Sequence, residues 1–104
     1  MNARGAEPEN PVSEVVRGEI SRRFAPTDVP GATEALGAVV LQGWAVKERD
    51  RVQLAAIKLS GGSMSRLIEE IAVAQADWRD VLVAAGLENS DWREVLRRNG
   101  MTVR

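Results

Sequence analysis

The chain holds no histidine and no cysteine, so chemistry would fall to carboxylates, hydroxyls, lysine and arginine. Thiolate nucleophiles, disulfides, the common zinc and copper ligands and the one side chain that titrates near neutrality are all missing. Acid–base work or a hard cation would depend on Glu69, Glu70, Asp77, Asp80, Asp91 and Glu94. Four of these stand where helices are expected to begin, and there acidic residues cap free amides and suit the helix dipole. No calcium-type loop with a turn glycine is present, nor a carboxylate set spaced for magnesium. The serines and threonines have no histidine to activate them, and Lys47 and Lys58 read as helix-surface residues. The expectation is no catalytic residue, no metal site and no cofactor. A small carboxylate enzyme would need a pocket holding two acids, which the sequence does not display.

Two other arrangements offer binding rather than reaction. Ser60-Gly-Gly-Ser-Met-Ser65 precedes a helix start, where free N–H groups can hold an anion beside Ser63, Ser65 and Arg66. The nearest cation is Arg66, and a helix rather than a strand comes before, so the pattern is not a nucleotide phosphate loop. A helix stop followed by a helix cap explains the same residues. The second arrangement is an internal repeat: Asp77-Trp-Arg-Asp-Val-Leu82 and Asp91-Trp-Arg-Glu-Val-Leu96 differ only at Asp80/Glu94 and lie 14 residues apart. Each copy is followed four residues later by a glycine, Gly86 or Gly100. Two copies at this period are not a solenoid. The plain reading is a helix opening used twice, with Trp, Val and Leu turned inward. The functional reading makes Trp78/Arg79 and Trp92/Arg93 anchors for a partner, with Arg97 beside them, because Trp and Arg are enriched in interface hot spots.

These residues must be carried by elements, and the apolar spacing is helical almost throughout. Asn10 as cap and Pro11 at the first turn open a helix whose Val12, Val15, Val16, Ile20 and Phe24 share a side, and Pro26 stops it. Asp28 and Pro30 open a second, with Ala32, Ala35, Leu36, Val39 and Val40 inward, running to Gly43. Ala38–Leu41 also has strand character, but nothing offers it a pairing partner. Trp44 anchors the connection. The third helix, Glu48 to Ser60, is expected to be central, with Gly61-Gly62 ending it. Leu67, Ile71, Ala74, Trp78, Val81 and Ala85 keep one phase straight through Asp77, which predicts one helix over 65–85; the rival reading breaks it at Asp77. A last helix spans 91–99, with Leu96 inward and Gly100 beyond it.

The sum is an all-α single small domain of about five helices in a compact bundle. It occupies residues 10–100, with a tail at 1–9 too polar to order itself and a short end at 101–104. Fourteen basic residues against fifteen acidic ones give a net charge of −1, with no basic field for nucleic acid or membranes. The first ten residues contain no apolar run of signal-peptide type, and no window approaches a membrane span, so the expected compartment is the cytoplasm. The segment Glu48–Gly86, through Arg51-Val-Gln-Leu-Ala-Ala-Ile-Lys-Leu59, Gly61-Gly62, Leu67 and the first repeat, resembles a pattern found in small helical bacterial proteins of uncharacterised role. That resemblance implies an all-α domain and carries over no functional residue.

The leading expectation is therefore a non-enzymatic protein–protein interaction module, an adaptor, inhibitor or immunity-type partner, acting through a helical surface that includes Arg79, Trp92, Arg93 and Arg97. The alternative is nucleic-acid or anion-ligand binding through Arg66, Arg93, Arg97 and Arg98, set against the adjacent Glu69 and Glu70, which repel phosphate. A homodimer would also use exposed apolar surface, with Trp44, Met64 and Met101 as candidates for its contact.

Overall fold

The computed structural model describes residues 12–39 and 48–101. Among these residues the chain forms six helices and no strand: α1 (Glu14–Arg23), α2 (Val29–Gly37), α3 (Arg49–Ser60), α4 (Met64–Ala76), α5 (Trp78–Ala85) and α6 (Trp92–Arg98). The all-helical bundle is as the spacing predicts, with one more helix than the five expected. Val40, Trp44 and the Gly43 stop lie outside the described residues, as do Asn10, Pro11 and the segments 1–9 and 102–104.

The third helix is central because its middle is buried on every side. Val52, Gln53, Leu54, Ala55, Ala56 and Ile57 are consecutive and all buried, which a one-sided amphipathic helix cannot be. α1, α4 and α5 pack directly on α3. Gln53, polar at this depth, donates from Nε2 to the Leu36 carbonyl at 3.0 Å and so satisfies a backbone group at the end of α2. That end comes earlier than the expected Gly43. Ala38 N–H turns back to the Glu34 and Ala35 carbonyls, at 3.1 and 3.3 Å, and Val39 N–H to Leu36 at 3.2 Å, so the helix tightens and closes after Gly37.

The start of α1 also differs from expectation. Ser13, not Asn10, is its cap, accepting from Val16 N–H at 3.4 Å, while Val12 is buried ahead of the helix. Glu19 on α1 is wholly buried with its carboxylate divided between two arginines. Oε2 accepts from Arg22, Oε1 accepts from Arg23 Nε at 3.1 Å, and Arg23 Nη2 reaches on to the Asn99 carbonyl at 3.1 Å. Arg23 thus ties the buried Glu19 carboxylate of α1 to the end of α6.

The predicted single helix over 65–85 is two helices. Asp77 is extended, at φ −158° and ψ 105°, and belongs to both. Its N–H completes α4 by donating to the Val73 carbonyl at 2.9 Å, and its carboxylate opens α5 by accepting from Arg79 N–H at 3.1 Å. A straight 21-residue helix would run about 32 Å. Broken at Asp77, the segment instead packs α4 and α5 against each other and both against α3. The apolar phase survives the break because each half turns its own side, Leu67 and Ala74 or Val81, Leu82 and Ala85, to the same core.

Both copies of the repeat end alike. Leu87 N–H donates to the Leu82 carbonyl at 2.8 Å and Gly86 N–H to Val83 at 3.1 Å; Met101 N–H donates to Leu96 at 3.0 Å and Gly100 N–H to Arg97 at 3.0 Å. The left-handed glycines, at φ 75° and 82°, fold the following apolar residue back onto the helix, and Leu87 and Met101 are buried. The beginnings are not alike, since Asp91 makes no side-chain capping bond and Trp92 N–H is taken by the Asn89 carbonyl at 3.2 Å.

Candidate functional site

The repeat sets two tryptophan–arginine pairs at the starts of α5 and α6. Both rings are half-buried and packed against the core, so each serves the fold and remains partly exposed. Arg79 is 69% exposed, with its guanidinium carbon 6.0 Å from the Trp78 ring centre and Nε 3.3 Å from Asp77 Oδ1. The Arg79 backbone N–H, and then its side chain, hold the Asp77 carboxyl below the ordinary aspartate range.

The second pair is more closely stacked. Arg93 lies 4.3 Å from the Trp92 ring centre and Arg51, from α3, lies 5.7 Å away. Arg51 is anchored by its Nε to the Leu87 carbonyl at 2.8 Å, by Nη2 to Asn89 at 3.2 Å and by Nη1 to Glu48 at 2.9 Å. It therefore fixes both the α5–α6 connection and the tryptophan above it. Arg93 is exposed and makes no ion pair with the described residues. On the same helix, Arg97 pairs with Glu94 at 2.9 Å and Arg98 approaches the same carboxylate at 4.0 Å.

Beside α5 lies a half-open groove of about 320 Å³, lined by Arg51, Trp78, Arg79, Leu82, Val83 and Glu88. Val83 stands on its rim, 60% exposed. Sequence reasoning singled out neither Arg51, Val83 nor Glu88. Val83 gave a signal, being an apolar residue out of phase with Val81 and Ala85; Arg51 gave none, because two of its acceptors are distant main-chain carbonyls.

The residues considered for an anion are engaged with their own chain. Ser63 Oγ caps α4 by accepting from Arg66 N–H at 3.3 Å and lies 3.1 Å from Ser65 Oγ. Arg66 donates to the Leu59 carbonyl at 3.4 Å and sits 3.9 Å from Glu69. It is carried by α4, whereas Arg93, Arg97 and Arg98 belong to α6, so the four arginines of the nucleic-acid alternative come from two helices. Among the described residues no three Asp or Glu side chains gather to hold a metal ion, and no helix is long and apolar enough to cross a membrane.

No protein-family model, no curated protein and no solved structure matches the chain, so its site rests on its own residues.

Proposed function

We propose that the chain is a non-enzymatic protein–protein interaction module of the cytoplasm, an adaptor, inhibitor or immunity-type partner, whose contact surface is the α6 face with Trp92, Arg93 and Arg97. The observation that carries this reading is the Arg93 guanidinium at 4.3 Å over a Trp92 ring that packs against the core and lies 5.7 Å from the Arg51 guanidinium. A ring packed against the core loses little entropy on binding, and Trp and Arg are enriched among the residues that dominate interface energetics. The exposed guanidinium fork suits a carboxylate on the partner.

Affinity capture with the tagged full chain in extracts of its native cells tests the reading. A specific protein partner should be retained by the wild type and lost with Arg93→Glu, while both forms melt at the same temperature. Loss of binding only in step with loss of stability would contradict it. So would retention of nucleic acid instead, at ~50 mM salt and released at ~200 mM, which is the signature of phosphate contacts.

A further inference from the structure

We propose that Asn99 is a latent deamidation site, closed by the hydrogen bonds that finish α6 and opened when that end frays, and that the reaction frees the end of α6 from α1. This goes beyond the α6 contact surface and does not depend on it. Among the chain's asparagines, Asn2, Asn10, Asn89 and Asn99, only Asn99 precedes a glycine. An asparagine amide reacts when the next main-chain nitrogen reaches its Cγ. Glycine puts no Cβ in the way of that approach, whereas Ser90 crowds it after Asn89 and Pro11 has no N–H to give after Asn10. Asn99 and Gly100 are both exposed, so water reaches the pair.

Water is the only co-reactant. Gly100 N gives up its proton and bonds to Asn99 Cγ; the Cγ–Nδ2 bond breaks, and that nitrogen takes up a proton and leaves as ammonia. Water then adds to either carbonyl carbon of the five-membered imide and breaks that carbon's bond to Gly100 N, which regains a proton. The product is aspartate, or isoaspartate in which the main chain runs through Cβ and Cγ. The net change is amide plus water to acid plus ammonia.

In the fold, each group that must move is held. Asn99 Nδ2 donates to the Val95 carbonyl at 2.8 Å, and the attacking Gly100 N–H donates to the Arg97 carbonyl at 3.0 Å. The carbonyl of that same peptide accepts from Arg23 Nη2 at 3.1 Å. Asn99 sits at φ −93° and ψ 13°, and ring closure needs ψ rotated well away from that value. Buried Met101, whose N–H donates to the Leu96 carbonyl at 3.0 Å, completes the closure. These contacts lie in the last turn of a seven-residue helix, so they open locally while the rest of the bundle stays folded. The product does not rebuild them. A carboxylate has no donor for the Val95 carbonyl and stands at the negative end of the helix dipole. Isoaspartate also lengthens the main chain by one carbon inside the turn that returns Gly100 and Met101 to α6, so Met101 leaves the core and Arg23 loses its carbonyl.

The test is incubation of the full chain in mildly alkaline buffer, native and in unfolding urea, followed by intact mass and peptide mapping that separates aspartate from isoaspartate. In urea, Asn99 should convert before the other asparagines. In the native protein it should convert more slowly by about tenfold or more, because only the opened fraction reacts. Met101→Ala removes the buried contact and should react faster than the wild type when native and equally fast in urea, with a thermal melt to show that it is folded. In the isolated isoaspartate form, amide exchange should rise at Gly100 and Met101 while α3 keeps its protection. No conversion at Asn99 in urea, equal native and urea rates, a Met101→Ala rate equal to that of the wild type, or an isoaspartate form with Gly100 and Met101 protected as before would each overturn the inference.

Discussion

The turn between α3 and α4 contains two adjacent glycines, and the structure predicts that they respond very differently to the same methyl group. Gly61 has φ 60° and Gly62 has φ 88°, so alanine at either position must adopt a left-handed backbone. That conformation costs about 1–2 kcal/mol for any residue with a Cβ. At Gly61 the added Cβ meets nothing within 4 Å, and the conformational cost is the whole effect. At Gly62 the Cβ would lie 2.5 Å from the Arg23 carbonyl oxygen, a main-chain atom at the end of α1 that cannot swing aside. Relieving the overlap means pushing α1 away from the turn, the kind of overpacking that costs a further ~1–3 kcal/mol. Gly61→Ala should therefore destabilise by about 1 kcal/mol and Gly62→Ala by about 3 kcal/mol. Equilibrium urea unfolding separates them by a midpoint difference on the order of 1 M. Equal midpoints would refute the close approach of α1 to this turn, since the backbone contribution is common to both variants.

Glu19→Gln keeps the shape of the buried side chain but leaves Arg22 and Arg23 facing a neutral group, and should cost about 2 kcal/mol in the same unfolding measurement. Arg51→Lys should be nearly as destabilising as Arg51→Ala, by about 2 kcal/mol, because one ammonium cannot span the Leu87, Asn89 and Glu48 oxygens that the guanidinium fork reaches. Amide hydrogen exchange should then rise across residues 87–92 before it rises in α3. Asp77 supplies a pH dependence: its carboxyl titrates lower when folded, so its stabilisation is present above the unfolded value of about 3.9 and is lost as pH falls through the folded one. The stability gap between wild type and Asp77→Asn should therefore shrink as pH falls through the ordinary aspartate range and below it, and a constant gap would contradict the assigned cap.

Helical periodicity carries most of the core, because Val16, Ile20, Phe24, Leu36, Val52, Ala55, Leu67, Val81, Leu82 and Leu96 are buried as their spacing predicts. Leu59, Ile71, Trp78 and Trp92 are half-buried and packed against that core. Spacing could not reveal the break at Asp77, since an extended residue that returns both halves to one core leaves the apolar phase unchanged. The local sign was there: an aspartate followed by a new acidic first turn. Leu87 and Met101 were legible in principle from the leucine, glycine and apolar residue at matched offsets in both repeats, a helix ending rather than a helix opening. The site was less legible. Trp92 and Arg93 could be named from residue type, but the stacking of Arg51 on the same ring comes from tertiary packing between α3 and the start of α6. Arg51 recognises main-chain oxygens, which carry no residue identity for a sequence to display.

The claim that the α6 face meets a partner protein is tested most directly by placing a photo-reactive residue at position 97 and, as a control, at exposed position 34 on α2. Irradiation in the native cells should give one protein adduct of defined mass from position 97 and none from position 34, and Arg93→Glu in the same chain should abolish it. Adducts of equal yield from both positions, or an adduct at 97 that survives Arg93→Glu, would contradict the proposed surface.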